Sequence, residues 1–598
     1  MTEIFEPVDT WDRRLALRAS GRLAALNRAG VLTAADVHVA DRLGRLGQEH
    51  SADVLLAVAL TVRAVRHGSV CLDLATTGEL VGELGRDVPG DLHGHPSADA
   101  AEGWPETDAW VQAVAASPLT GQALRLEGTL LYLDRYWQEE GAVVDDLLIR
   151  AARTAPSVDE QRLEDALDRL FPDASWDEQR RAARASARRW TSVLTGGPGT
   201  GKTTTLARLL AALAATADAP LRIALAAPTG KAAARMTQAL VEAVHAETFP
   251  AVDRGAVEGL AASTLHRLLG VRPDNGTRFR HHRGNRLPHD VVVVDETSMV
   301  SLTLMARLLE AVRPDARLLL VGDADQLASV EAGAVLQDIV RGFEGRSPSP
   351  VSELVTSHRF GDEIGALAAA VRDGDADRAW SLLAAGSGAV ELVDPDDEAR
   401  IRALVEPPAV ELRERARAGD AAGALEALRS HRLLCAHREG PWGVGGWNDL
   451  VERWLQEHDG RDWLPDHYGG RPLIVNANDY GLRLWNGDTG VVVGDDASER
   501  WALFDDGAAG RRLSLARLSD VTTAHAMTVH RSQGSQFDTV TVLLPEEDSL
   551  LLTRELFYTA LTRARSSVRV VGSEQSVRAA VHRRALRATG LAGRLHRT

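Results

Sequence analysis

Lysine is almost missing from this 598-residue chain. Of 68 basic residues, only Lys202 and Lys231 are lysine and the other 66 are arginine. Cysteine is nearly as scarce. Cys71 and Cys435 lie far apart and in no metal-ligand spacing, which excludes a disulfide framework or a zinc site and fits a reducing cytoplasm. Long apolar runs are lacking too. The longest, such as Val291–Val294 and Leu318–Val321, suit buried strands, whereas a bilayer span needs about 20 apolar residues, so no membrane segment is expected. The N-terminal MTEIFEPVDTWDRR carries acids where a signal peptide needs a basic start and an apolar stretch, so export is not expected. A basic excess is absent: the net charge of −16 argues against a protein that simply coats nucleic acid. What remains is ordinary globular composition, 44% hydrophobic and 25% charged, in a chain too long for one core.

The charge is unevenly spread. Residues 1–150 carry 13 Arg against 23 acids, and residues 551–598 carry 10 Arg against 2 acids. The first balance fits a module facing protein or solvent. The second fits a region near phosphate or, equally, a solvated C-terminal helix bearing Arg583, Arg584 and Arg587. Whatever favoured arginine was overridden at two positions, both after a Thr-Gly pair. A compact ammonium fits among phosphate oxygens where a planar guanidinium does not.

Periodicity divides the chain. Residues 1–115 read as a mostly helical N-terminal domain with a Pro, Gly and Asp-rich connector at 88–107, and 116–170 as a linker region with a strand-like stretch at 129–133. From Trp190, short apolar strands at 191–195, 221–227, 290–294 and 317–322 alternate with helices, the pattern of a parallel, doubly wound sheet over 171–350. The loop GRSPSPVS at 345–352 closes that unit. A second α/β unit spans 351–465 and 521–598, with strands at 431–436, 538–543 and 567–571. It is interrupted at 466–520 by alternating Val, Gly, Asn and Asp that reads as a small β-barrel insertion.

The strongest motif is Gly196-Gly197-Pro198-Gly199-Thr200-Gly201-Lys202-Thr203, followed by Thr204, between a strand and a helix. It fits G-x-x-x-x-G-K-[ST], whose glycines let backbone N–H groups close around phosphates at a helix N-terminus. In such a loop Lys202 reaches the β and γ phosphates of ATP and Thr203 ligates magnesium. A second carboxylate site is then required, and Val291-Val-Val-Val-Asp295-Glu296 supplies it: Asp295 for the Mg2+ ion, Glu296 as base for the attacking water. Adjacent acids at a strand end are common, so this pair gains its meaning from the loop. Gln326, in GDADQL after the next strand, is placed to sense the γ-phosphate. Thr229 and Lys231, in APTGKAAARM at 227–236, end another strand at an edge suited to a sugar–phosphate backbone. An exposed helix N-terminus is the plain alternative there.

In order, the phosphate loop, APTGKAAARM, Thr264-Leu-His-Arg-Leu-Leu, DETSM, GDADQL, Ser357-His-Arg359, Ala526-Met-Thr528-Val-His530-Arg-Ser-Gln533-Gly534 and Tyr558-Thr-Ala-Leu-Thr-Arg563-Ala-Arg565 resemble the motifs of superfamily 1 helicases over roughly residues 170–570. Among these the chain is most similar to the RecD family, the alpha subunit of exodeoxyribonuclease V (RecBCD). The resemblance implies two RecA-like P-loop domains with a small SH3-like β-barrel insertion. It also implies adenine recognition by Gln179, in Trp176-Asp-Glu-Gln, and γ-phosphate contacts from Arg359 and Arg563 of the second unit. A nucleic-acid channel lined by Thr264, His266, Thr528, His530 and Gln533 follows; the insertion at 271–289 fits a duplex-splitting hairpin or, equally, a plain surface loop. Position 531, usually lysine in the family, is arginine here. The implied activity is that of an ATP-dependent 5′→3′ DNA helicase acting on single-stranded DNA and duplex ends, in double-strand break repair and recombination. The implied partners are RecB-like and RecC-like subunits in a heterotrimer, with the N-terminal region as docking face, around Leu124-Arg-Leu-Glu-Gly-Thr-Leu-Leu-Tyr-Leu-Asp-Arg-Tyr-Trp. A nuclease centre is not expected, because the common metal nuclease core needs an acid two residues before a lysine and this chain has Thr200 and Thr229 there. A stand-alone RecD-like helicase is the alternative.

Overall fold

The computed structural model describes residues 12, 14–17, 19–77, 104–272, 275–356, 362–460, 466–479, 481–496, 499–505 and 510–597, with the side chains of 275–277 and 362 excepted. In chain order the strands are β1 (Leu72–Asp73), β2 (Leu124–Glu127), β3 (Leu130–Leu133), β4 (Thr191–Gly196), β5 (Ile223–Ala227), β6 (Ala262–Thr264) and β7 (Val271–Arg272). They continue with β8 (Asn275–Phe279), β9 (Val291–Val294), β10 (Arg317–Gly322), β11 (Val351–Leu354), β12 (Val390–Val393), β13 (His431–Cys435) and β14 (Pro472–Val475). The last are β15 (Thr489–Val493), β16 (Trp501–Phe504), β17 (Arg511–Leu513), β18 (Val521–Thr523), β19 (Ala526–Thr528), β20 (Phe537–Leu543) and β21 (Ala564–Val571).

Two parallel sheets dominate. The first has the order β11-β4-β10-β9-β5-β6 and the second β12-β21-β20-β13-β19. Helices cover both faces, so successive residues of one strand enter different cores. Leu318 and Leu320 of β10 pack with the helix Asp134–Ala152, while Leu319 and Val321 pack with the helix Lys202–Thr216 that follows the phosphate loop. The apolar runs seen in the sequence are these doubly covered strands.

Between β13 and β19 the chain forms a five-stranded antiparallel sheet, β17-β16-β15-β14-β18, from Pro472 to Thr523. Val491, Val493 and Leu503 pack against the helices Glu398–Arg417 and Ala421–Ser430 of the second unit, while Leu473, Val492 and Phe504 face the sheet's own loops.

Three expectations need correction. Residues 116–170 are not a linker. They form β2, β3, the helix Asp134–Ala152 and the helix Glu160–Leu170, and Leu163, Leu167 and Leu170 of the last belong to one core with Leu194 and Leu210. The loop taken to close the first unit at 352 ends earlier, because Val351–Leu354 pairs with β4 as the sheet's edge strand. The basic C-terminus leaves the second unit altogether. The helix Leu591–Arg597 packs Leu591 and Leu595 into the first unit's core beside Ile339 and Phe343, while Arg594 pairs with Glu127 and Glu140. Arg587 likewise donates to the carbonyls of Gly68 and Glu331 instead of facing solvent. The connector expected at 88–107 lies outside the described residues except for 104–107, of which Thr107 opens the helix Thr107–Ala116.

The C-terminal tail crosses a buried carboxyl pair. Glu140 Oε2 accepts from the Thr589 hydroxyl at 3.0 Å and the Gly590 N–H at 3.1 Å. Asp338 is 4% exposed, with one carboxyl oxygen lacking a hydrogen-bond partner. Burial, reinforced by the nearby Glu140, pushes Asp338 up to about 7. The unfolded chain releases that proton near ~3.9, so the stability Asp338 contributes is complete at lower pH and is lost as the pH rises through 7. Asp338→Asn removes this loss. Its melting-temperature advantage over the wild type is expected to grow between pH 5 and pH 8, and a difference that stays flat across that range contradicts the assignment.

Candidate active site

The phosphate loop is shaped by backbone geometry that side chains would block. Gly199 and Gly201 have φ of 84° and 83°, in the left-handed region that favours glycine. At Gly196 a Cβ would overlap the Leu354 carbonyl oxygen of β11, so the loop's entry depends on close approach of the edge strand. Gly201 caps the helix Lys202–Thr216, whose first N–H groups therefore face the loop. Lys202 Nζ donates to the carbonyls of Gly196 at 2.6 Å and Gly197 at 2.9 Å, and the Thr200 hydroxyl donates to Gly197 at 2.8 Å.

The loop opens on a cavity of about 660 Å³, lined among others by Gln179, Lys202, Thr203, Thr204, Asp295, Glu296, Asp323 and Gln326 of the first unit and by Arg563 of the second. Asp295, at the end of β9, is held above the usual carboxylate range by burial and by Glu296, against the pull of the Glu296 N–H (2.8 Å) and Lys202. Glu296 has φ 50°, a left-handed conformation uncommon outside glycine, and so turns away from the strand axis into the cavity. Gln179 is 1% exposed. Its Nε2 donates to the Thr200 carbonyl at 3.4 Å, and its Oε1 is buried without a partner. A buried acceptor without a donor is a costly arrangement in a dry interior, and an amine such as the exocyclic group of adenine would satisfy it. Thr203 and Asp295 present hard oxygen donors of the kind that hold Mg2+. The residues therefore fit magnesium ATP.

Arg563 is 2% exposed. Its guanidinium donates to Thr559 O at 3.0 Å, Thr562 Oγ1 at 3.3 Å and Ser535 O at 3.4 Å, which fixes it at the cavity wall. Arg359, its expected companion, lies outside the described residues. Arg235, Tyr558 and Asp323 had been given no role. Arg235 lines the cavity and donates to Gly534 O at 2.8 Å across the two units. Tyr558 donates to Asp323 Oδ2 at 3.2 Å, and that oxygen also accepts from Gln326 Nε2 at 2.9 Å. These pairings join residues more than 230 positions apart, except that of Gln326.

The nucleic-acid candidates sit at strand ends. Thr229, Thr264 and Thr528 cap the helices that follow β5, β6 and β19, each hydroxyl accepting a backbone N–H at 3.2 to 3.3 Å. His266 is exposed and packs edge-on to Phe279, ring centroids 5.7 Å apart. His530 is half-buried, and burial lowers its pKa, assisted by Arg587 and Arg438. Gln533 turns inward: it is 8% exposed and donates to the Leu327 carbonyl at 2.8 Å. Lys231 Nζ donates to Gly487 O at 3.1 Å, in the loop between β14 and β15.

Fold and site together define an ATP-hydrolysing P-loop enzyme of the helicase class. Residues 179–332 match an AAA domain family, 523–571 the UvrD-like helicase C-terminal domain, and 28–132 the N-terminal domain of RecBCD enzyme subunit RecD. The RecBCD enzyme subunit RecD of Mycolicibacterium smegmatis is 57% identical over 95% of this chain and 98% of its own length. That of Mycobacterium tuberculosis (strain CDC 1551 / Oshkosh) is 54% identical over 98% and 99%. The chain belongs to the RecD family. The ATP-dependent RecD2 DNA helicase of Deinococcus radiodurans is 34% identical over 67% of this chain, and only 50% of that longer protein is covered.

Gly196→Ala is expected to abolish nucleotide binding in an equilibrium assay, since the added methyl displaces β11 from the loop. Gln533→Ala leaves the Leu327 carbonyl unpaired at a cost of about 1–3 kcal/mol. It is expected to lower the stimulation of ATP hydrolysis by single-stranded DNA more than DNA affinity measured by fluorescence anisotropy. The reverse order would mean that Gln533 serves chiefly as a DNA contact.

Proposed function

We propose that the chain is the 5′→3′ single-stranded DNA motor of a RecBCD-type helicase–nuclease, with no nuclease centre of its own. One observation carries this reading: the phosphate loop of the first sheet and Arg563 of the second line the same cavity, so ATP is shared between two units that also share the strand-end surface. The parallel sheets are read as two RecA-like domains, the first beginning at 171 and including β11, the second beginning after Leu354 and resuming at 521. The antiparallel sheet within 466–520 and its closing strand β18 are read as the SH3-like barrel. Lys202 holds the β and γ phosphates, Glu296 takes the proton of the attacking water, Gln326 senses the γ-phosphate, and Arg563, with Arg359, stabilises the transferring phosphoryl when the cleft closes. Bound Mg2+, held by Thr203 and Asp295, neutralises phosphate charge. Closure and opening then ratchet a strand held at Thr229, Lys231, Thr264, His266, Thr528, His530 and Gln533. Lys231 is held by the β14–β15 loop and Gln533 by Leu327, so both must shift to reach it.

The acidic N-terminal region, including β2 and β3, is read as the face that docks RecB-like and RecC-like subunits. Near-complete coverage of the two mycobacterial relatives supports a subunit; half coverage of the longer RecD2 protein speaks against a stand-alone helicase.

The purified chain is expected to hydrolyse ATP faster with single-stranded DNA, and Lys202→Ala to remove that activity, as read by phosphate release. Hydrolysis that survives the substitution rejects the site. If the wild type is silent with DNA and with partner subunits added, the motor reading falls. The β7–β8 hairpin is the proposed duplex splitter. Replacing residues 273–286 with a Gly-Ser linker is expected to abolish unwinding while sparing DNA-stimulated hydrolysis, and full unwinding by that variant rejects the role.

A further inference from the structure

We propose that Trp176 is the platform on which the base of the nucleotide stacks, and that Arg208 is the residue that positions it. The inference rests on the reading of the cavity as an ATP site. Trp176 ends a short turn, Ala174–Trp176, that leads into the helix Asp177–Ala187 carrying Gln179, and both side chains line the cavity. Gln179 supplies an unpaired hydrogen-bond acceptor at the edge of a bound ring. Nothing polar in that pair grips the ring's faces, whereas the half-buried indole is a flat aromatic surface three residues away.

The indole is held from behind. Arg208 is 0% exposed and lies on the helix that begins with Lys202. Its guanidinium sits 4.2 Å from the centroid of the Trp176 ring. It is itself fixed by the Leu170 carbonyl, by the Thr248 carbonyl at 3.2 Å and by the Thr248 hydroxyl at 3.0 Å, while Phe171 meets Trp176 edge-on at 6.2 Å. A cation on one indole face is an attractive contact that fixes the ring plane. A ring already fixed loses little conformational entropy when a base stacks on it. Because Arg208 and Lys202 share one helix, the same element that holds the phosphates sets the tilt of the base platform. Met236 and Ala239 of the helix Gly230–His245 line the cavity as well, and they give a flat heteroaromatic ring apolar surroundings.

The test compares ADP with inorganic tripolyphosphate, a ligand with phosphates and no base, as competitive inhibitors of DNA-stimulated ATP hydrolysis by the full-length chain. Loss of one base–aromatic stack weakens ADP by roughly tenfold. Trp176→Ala is expected to show that weakening with no change in tripolyphosphate inhibition, and Trp176→Phe to restore ADP to within about threefold, since a smaller ring still stacks. Arg208→Met is expected to weaken ADP selectively in the same way, and Arg208→Lys, which keeps a cation behind the ring, to recover most of it. Equal weakening of ADP and tripolyphosphate in Trp176→Ala would show that the residue merely supports the loop and would overturn the proposal, as would unchanged ADP affinity. A wild-type chain that hydrolyses no ATP with DNA and with its partner subunits added would instead reject the ATP site itself, so the two failures are distinguishable.

Discussion

The Asp323 carboxylate is the point on which the two halves of the molecule converge. It is 2% exposed, and burial raises its pKa against the pull of Lys202 and of its hydrogen-bond donors. From its own loop it accepts the Asp325 N–H at 3.0 Å and the Gln326 amide, and from the second unit the Tyr558 hydroxyl. Four residues on, the Leu327 N–H donates to Thr559 Oγ1 at 2.9 Å and its carbonyl accepts from Gln533. One five-residue loop is thereby pinned to the other unit at three places, beside the phosphate-loop residues with which Asp323 and Gln326 share a cavity. A buried acid costs free energy unless its charge is satisfied. Separation of the units removes the Tyr558 donor, so this contact favours discrete joined and parted arrangements over intermediate ones.

Much of this was legible in the sequence because the informative features are local. The glycines, Lys202 and Thr203 are consecutive, and the strand before them is a plain apolar run. The strand ends that carry Asp295, Gln326 and Thr229 follow from the same reading. What escaped was either too short to show a period or non-local. β6 and β19 have three residues each and lie at sheet edges, and β11 was lost because its four residues follow a stretch rich in Pro and Ser. The Tyr558–Asp323 and Arg235–Gly534 contacts connect distant segments, and nothing in residue type announces a partner 235 or 299 positions away. The C-terminal tail misled for a different reason. Its arginines suggest phosphate, yet Arg583, Arg587 and Arg594 spend their donors on backbone carbonyls, on Glu127 and on the buried Glu140.

The two lysines show how a compositional argument can be half right. Lys202 stands at the phosphate loop, as its rarity suggested. Lys231 has a different reason to resist replacement. Its half-buried side chain lies against the β14–β15 loop, where it donates to Gly487 O, and desolvation drives its pKa down to about 8 despite nearby Asp488 and Asp505. Gly230 beside it has no room for a Cβ, because Trp485 lies against its backbone. A guanidinium is wider and needs several acceptors in one plane, whereas this ammonium donates as a point charge to the Gly487 carbonyl. The constraint at Lys231 is therefore imposed by the junction between the first parallel sheet and the antiparallel insertion. On the proposed reading, contact of Lys231 with a sugar–phosphate backbone requires its bond to Gly487 O to break, which would tie engagement of a strand at this helix N-terminus to the insertion.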